Sequence, residues 1–405
     1  MTVYLLSFTA IAQDISSNTK ANFIANNSPA IIKAKKLLYQ QLRGVKNKEM
    51  RALMFDAIDN PNFQVQHRIG VDENKKAQLL DQLKEAQLIP KGSPISDQQI
   101  IEGIFPPLRN HNNQPVIPMP YIAAAGGTKG HHHNYPGGLV VHTATTMAFA
   151  KAQGEIASRF YAHQPKFIDT ELTSIALFWH DWAKLFMYQY LSDGKLLEEY
   201  YFGGNGVSDD YGAGGYSIEM GHHILSLAEI MSRKFPIDIV LTLAAVHYEM
   251  TRENEYKMVN TIRAACIIAQ CKPLERGYLY LDKNKQLRIP PVYDQFLNND
   301  AKYSSYNFMN QLPEYTYAHL ADWDWAFNNS GIQHLDLLLM DIVKEIEEKE
   351  QVDEMKFHWR YKYPLYSYYT AEYLSMEYAK HGQVHLKSII QNFFKTNKYN
   401  NKIAY

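Results

Sequence analysis

Phe178-Trp179-His180-Asp181-Trp182-Ala183-Lys184 is the stretch on which the reading of this chain turns. It closes a strongly apolar segment, Thr170 to Met187, whose pattern predicts a helix. An aspartate buried at the end of such a helix is costly unless something positive compensates it. A divalent cation does so, and the neighbouring histidine adds a second kind of ligand. Side chains at adjacent helical positions point about 100° apart. His180 and Asp181 therefore reach one ion only at a helix end or from two sides, or they bridge two ions. Lys184 lies three residues after Asp181 and shares its helix face. It is placed either to hold an anionic substrate group or to pair with Asp181 at the surface.

Working outward, three more segments each deliver histidine to a helix. Pro136-Gly137-Gly138-Leu139-Val140-Val141-His142-Thr143 places His142 one turn into a helix predicted to run to about Ala152. Gly221-His222-His223-Ile224-Leu225 begins another, predicted over 217–234, and Leu243-Ala244-Ala245-Val246-His247 lies in a third, over 237–249. A lone histidine on an apolar helix is usually a core residue bonded to a carbonyl. Four helices that each bring imidazole, with one carboxylate among them, form instead a ligand set suited to Zn, Mn, Fe or Ni. His131-His132-His133 precedes the Pro-Gly-Gly turn. It is either an adventitious metal-binding tract or the mouth of a cleft, with His132 and His133 touching substrate.

The rest of the chain predicts an all-α protein with minor β structure. Ile31, Ile32, Ala34, Leu37, Leu38 and Leu42 recur at helical steps over 29–56, after Ser28-Pro29 as a start signal. A second helix is expected from Asn74 to Leu88, and seven prolines over 89–120 read as an extended strap. Six glycines over 202–216 predict a loop, 257–271 a helix, and 277–292 a small hairpin. Residues 331–350, 366–380 and 384–396 are further helices. Four regions follow: 1–12, 13–120, a chemical core at 121–292, and 293–405.

Composition sets the bounds. The 405 residues are 46% hydrophobic, ample for a large core. With 41 basic and 42 acidic residues, the net charge of −1 supplies no field for nonspecific nucleic-acid binding. Most of the 29 tyrosines are expected as half-buried surface residues of helices. Cys266 and Cys271 lie five apart, a spacing that predicts neither a disulfide nor a zinc site. The apolar run Val3 to Ala12, with Ala10-Ile11-Ala12 before Gln13, is like the back half of a secretory signal peptide without its basic start. Two locations stay open: cytoplasmic, or exported with a product that begins at Gln13. No later segment offers about 18 uninterrupted apolar residues, so no membrane span is expected.

The order His142, His180-Asp181, His222, His247 resembles that of HD-domain metal-dependent phosphohydrolases. The string His132-His133-Asn134-Tyr135-Pro136-Gly137-Gly138-Leu139 before His142 is similar to the variant in HD-type 3′–5′ exoribonucleases and in HD domains of relaxase-associated proteins. His180-Asp181-Trp182-Ala183-Lys184 resembles the HD-x-x-K form of the motif. The resemblance covers about 130 to 275 and implies an HD-domain helical core with added N- and C-terminal helices.

It further implies His142, His180, Asp181 and His247 as metal ligands, with His222 or His223 as the fourth histidine. His222 is favoured because the small Ser226 follows one turn later. Lys184 would contact phosphate, and Asp181 would orient water or bridge ions. One or two ions of Mn, Fe, Ni, Zn or Mg would acidify water for attack on a small phosphorylated substrate, a nucleotide or a short oligonucleotide. The family's last ligand is an aspartate after alanine on a later helix. Here the corresponding stretch, Ile267-Ile268-Ala269-Gln270, offers Gln270, with Glu253 or Glu255 as substitutes. A neutral amide there would weaken metal binding. It leaves room for a second kind of protein, a nucleotide- or metal-binding sensor without turnover.

Overall fold

The helices expected over 29–56 and 74–88 form where the apolar periodicity places them, with one interruption. The computed structural model describes residues 18–89, 95–108, 114–161, 168–200, 221–251, 254–292 and 312–396. Helix α1 spans Asn18–Asn26, α2 Pro29–Gly44 and α3 Lys48–Asp59. The single helix expected over 29–56 is thus two. Val45 leaves the helical region, and Asn47 caps α3 by accepting from the backbone N–H groups of Glu49 and Met50. Helix α4, Glu73–Glu85, matches the expected second helix with a tighter end. The proline-rich strap contains α5, Asp97–Ile104, started by a capping box between Ser96 and Gln99. The strap then pairs Gln64 with Val116 in an isolated bridge. Its Tyr121 stacks on Phe178, ring centroids 5.6 Å apart, and its hydroxyl lies 2.9 Å from Thr143 Oγ1.

The elements that matter for chemistry follow. They are α6 (Gly138–Tyr161), α7 (Thr170–Trp179), α8 (Lys184–Met187), α9 (Gly221–Ser232), α10 (Ile237–Ala245) and α11 (Glu255–Ile268). Helix α6 packs against α2 and α7, α7 against α10, and α9 against both α10 and α11. The expected hairpin is present as β1, Tyr280–Leu281, antiparallel to β2, Leu287–Arg288. The fold is all-α with this one minor sheet among the described residues. None of the described helices is long and apolar enough to cross a membrane. The apolar run before Gln13 and the glycine-rich stretch over 202–216 lie outside the described residues.

The C-terminal region builds α12 (Pro313–Asp322), α13 (Asp324–Glu347), α14 (Glu354–Lys356), α15 (Tyr363–Tyr369) and α16 (Ala371–Thr396), the last bent at Gly382. Helix α12 packs on α6, α7 and α10, and α13 reaches α6. The buried apolar cluster runs without a break from Ala21 to Phe393. Helix α12 is therefore part of the wall around the histidines.

Candidate metal centre

The His-Asp pair sits where α7 ends. Asp169 starts that helix by accepting from Glu171 and Leu172 N–H, and Trp179 ends it. His180 is the C-cap, and the next three residues turn, with Lys184 N donating to Asp181 O at 3.0 Å. A continuous helix to Met187 was expected. The turn instead swings Asp181 to the same side as His180. Fully buried Trp179 and Trp182 anchor it, each ring within 6.3 Å of Phe63. Ala183 N donates to Ser226 Oγ at 3.0 Å, which ties the turn to α9.

Five imidazole and carboxylate donors from the expected set converge with one that was not expected. His142 Nε2 lies 3.2 Å from Asp181 Oδ2 and 3.0 Å from Asp322 Oδ1. His180 Nε2 lies 3.4 and 3.2 Å from the same two oxygens. The other oxygen, Asp181 Oδ1, faces His222 Nε2 at 3.1 Å and His247 Nε2 at 3.8 Å. His247 Nε2 is also 3.5 Å from Asp322 Oδ2. Asp181 thus turns one oxygen to the His142–His180 pair and the other to the His222–His247 pair.

These atoms crowd together without being satisfied by one another. His142 Nε2, His222 Nε2 and Asp181 Oδ1 are buried and have no aligned hydrogen-bond partner. Buried polar atoms left in that state are rare, and each has a cost. Lone pairs aimed at common points, rather than at each other, suit a cation. The triplets His142–His180–Asp181, His180–His247–Asp322 and Asp181–His222–His247 each place their donor atoms within 4.8 Å of one another, so the buried cluster could hold a metal ion.

Charge at the cluster is held in balance. Burial opposes ionisation of Asp181, but His180 and Lys184 nearby keep its carboxyl well below the usual range. Asp322 behaves likewise, burial being outweighed first by His180. Burial alone would push His142 down, yet Asp324, Asp181 and Asp322 hold it well above the ordinary imidazole value. Burial and the neighbouring His223 keep His247 well below that value, and so neutral.

A second set of contacts orients the rings. His180 Nδ1 donates to Leu177 O at 2.7 Å, and His142 Nδ1 lies 3.0 Å from Asp324 Oδ1. Glu199 takes His222 at both ends, 2.6 Å from its Nδ1 and 2.5 Å from its backbone N. Tyr188 donates to the other oxygen of Glu199 at 2.6 Å. Outward Nδ1–H donation leaves Nε2 lone pairs facing inward, the usual arrangement of a ligating histidine. Glu199→Gln is expected to weaken divalent metal affinity about 10- to 100-fold. Calorimetric titration of the metal-free protein checks this, and an unchanged affinity would remove Glu199 from the ligand support.

The remaining residues singled out from the sequence fall in several places. His223 faces away, Nε2 3.3 Å from Ala244 O, and burial pushes it down to about 3. Gln270 is an exposed residue in the left-handed region, φ 54°. It ends α11, with Gln270 N bonded to Ile267 O and Cys271 N to Cys266 O, a Schellman motif. Its side chain is exposed, whereas the converging donors are buried. Glu255 pairs with Arg288 and accepts from Ile289 N, and so braces the hairpin, while Glu253 lies outside the described residues. Both cysteines are free. Lys184 is 2% exposed and paired at 2.6 Å with Asp181 Oδ2 and with Gly126 O, so it is no surface salt bridge.

His131 is exposed, His132 half-buried and His133 buried. The His132 ring lies 4.8 Å from that of His142, and the Nδ1 atoms of His132 and His133 are 3.1 Å apart. His133 has φ 51°, and the C-terminal helices hold it there. Asn328 accepts from its N–H at 3.1 Å, and Glu372 lies 2.9 Å from its Nε2. Gly138 must be glycine, since a Cβ there would meet His133 O at 1.9 Å.

Asp322, Asp324, Glu199, Asn328 and Glu372 were not recognised from the sequence. Only Asp322 carried a signal: it follows Ala321, the alanine-aspartate context expected of the last ligand. No family model, curated protein or solved structure matches the chain.

Proposed function

We propose that the chain is a metal-dependent phosphohydrolase of the HD type, acting on a phosphate ester. The observation that carries the reading is the position of Asp181, buried at a helix end with each carboxylate oxygen turned to a different histidine pair. That arrangement suits two ions sharing one carboxylate, with His142, His180 and Asp322 on one side and His222 and His247 on the other. Divalent cations held there would supply Lewis acidity and make water a competent nucleophile near neutral pH.

The protein's own groups do the remainder. Asp181 and Asp322 bring two carboxylates to a site whose other donors are imidazoles, a set that favours doubly charged ions. Lys184 uses two of its three N–H positions on Asp181 and Gly126. The third is available to a phosphoryl oxygen, where a fixed cation stabilises charge that develops during attack. His132 and His133 line the adjoining wall as substrate contacts. An amide at the last ligand position favours a sensor without turnover, whereas the Asp322 carboxylate beside His142 and His180 supports the enzyme.

The test is phosphate release from a panel of nucleotides and simple phosphate esters by the full chain loaded with Mn, Ni, Fe, Zn or Mg, alongside metal analysis. Activity with close to two ions per chain is expected. Tight metal binding with no release from any ester would overturn the enzyme. Lys184→Met is expected to keep metal yet lower turnover by about 10²-fold. Unchanged kinetics on a substrate that the native protein hydrolyses would remove Lys184 from the chemistry.

A further inference from the structure

The five tryptophans divide by exposure. Trp179, Trp182 and Trp359 are buried and Trp325 is half-buried, whereas Trp323 leaves 52% of its surface to solvent. One exposed apolar residue is ordinary on a protein surface. The position of this one is what matters. It stands between Asp322, a donor of the candidate metal centre, and Asp324, which orients His142.

The centre is not enclosed equally at all its groups. The His142, His180 and Asp181 side chains are 1%, 0% and 1% exposed. His222 and His247 are 7% exposed, Asp322 6% and Asp324 12%. Asp322 and Asp324, which flank Trp323 in the chain, are thus among the less enclosed groups of the centre.

The indole is held in place. Its Nε1 donates to His319 Nε2 at 2.9 Å, while His319 Nδ1 donates to Val246 O at 2.7 Å. Val246 directly precedes the ligand His247, so the ring is tied to the backbone of the centre itself. Neither aromatic neighbour lies parallel to the indole. The His319 ring is inclined by 84° and the Trp325 ring by 44°. With half its surface open, the indole keeps a face for a flat π-system.

We propose that Trp323 is the stacking platform for a nucleobase at the mouth of the centre. The phosphate ester handled there then belongs to a nucleotide or to the end of a short single strand. This rests on the phosphohydrolase reading for the reaction, but not for the binding. Stacking on an aromatic ring accepts any base, because each has a π-face. It also fits a chain of net charge −1, which has no field with which to hold a phosphate backbone by charge alone.

The test compares adenosine 5′-monophosphate with ribose 5-phosphate on the manganese-loaded full chain. Binding is read by calorimetry, and KM and kcat are measured where the ester turns over. The native protein is expected to bind the nucleotide more tightly than the sugar phosphate. Trp323→Ala should weaken nucleotide binding about 10- to 100-fold, leave ribose 5-phosphate unchanged, and raise KM rather than lower kcat. Trp323→Phe, which keeps a ring, should recover most of the affinity.

Metal content equal to that of the native protein shows that Asp322 has not moved in either variant. Equal affinity of the native protein for the two ligands, or equal loss of both in Trp323→Ala, overturns the platform. Trp323-dependent nucleotide binding without phosphate release from any ester supports the platform while the hydrolase reading fails. A fluorescent single-stranded tetranucleotide, followed by anisotropy, separates the two sources of the base. Tighter binding than the mononucleotide, again lost in Trp323→Ala, assigns a strand end. Equal or weaker binding assigns the mononucleotide.

Discussion

Asp181→Asn is expected to empty the centre and abolish phosphate release. Both oxygens of Asp181 are engaged, Oδ2 facing His142 and His180 and Oδ1 facing His222 and His247. The amide has the same shape but no charge, so both donor sets lose their shared anion at once. Lewis-acid stabilisation is worth several kcal/mol, and a loss of about 4 kcal/mol corresponds to about 10³-fold in rate. Asparagine is the better variant than alanine. Lys184 is buried against Asp181, and stripping one partner from a buried pair costs about 3–5 kcal/mol. Alanine would mix that instability with loss of metal, whereas the asparagine oxygen can still accept from Lys184. Metal analysis and circular dichroism decide the matter. Near-stoichiometric metal in the folded variant would defeat the assignment of Asp181 as the shared ligand.

Much of this centre was legible because the residues that build it also break local rules. A charged residue at the end of an apolar helix, and histidines at the ends of others, are expensive in isolation, so finding them together pointed to one site. His142, His180, Asp181, His222 and His247 could be named from that argument. The all-α fold was legible for a simpler reason: apolar residues recur at helical steps along most of the chain. Helix ends were harder. The expected helix over 29–56 breaks at Val45, where the Asn47 cap outcompetes continuation. The expected helix through Met187 breaks at His180, where burying two tryptophans matters more than helical continuity.

What stayed hidden is long-range. Glu199 is 23 residues from His222, and Glu372 contacts His133 from a distant helix. Surface helices carry many acidic residues, and nothing local marks these two as turned inward. The packing of α12 on the earlier helices is hidden for a related reason. The hairpin looks like an ending in sequence, but the chain beyond it returns to pack α12 on the ligand-bearing helices. Gln270 misled because its neighbours resemble the expected ligand context, while its own φ of 54° marks it as a helix terminator.

Asp322 is the sharpest point at which the structure changes the reading, and it can be tested apart from the rest. Its Oδ1 lies 3.0 and 3.2 Å from the Nε2 atoms of His142 and His180, and its side chain is 6% exposed. Asp322→Asn should remove the charge that completes the His142–His180 set, while Asp181, His222 and His247 still form a three-donor set. Three protein ligands suffice for a site with open positions. Metal content is therefore expected to fall from two ions per chain toward one, where Asp181→Asn loses both. Activity should drop by about 10²- to 10³-fold, the scale of losing one essential electrostatic contact. Gln270→Asp is the matched control: it adds a carboxylate at an exposed helix end, so metal content and rate should not change. If Asp322→Asn keeps two ions and full activity while Gln270→Asp raises either, the last ligand is on α11 after all. The opposite pair of results places it on α12, within a C-terminal region that the sequence had suggested was outside the site.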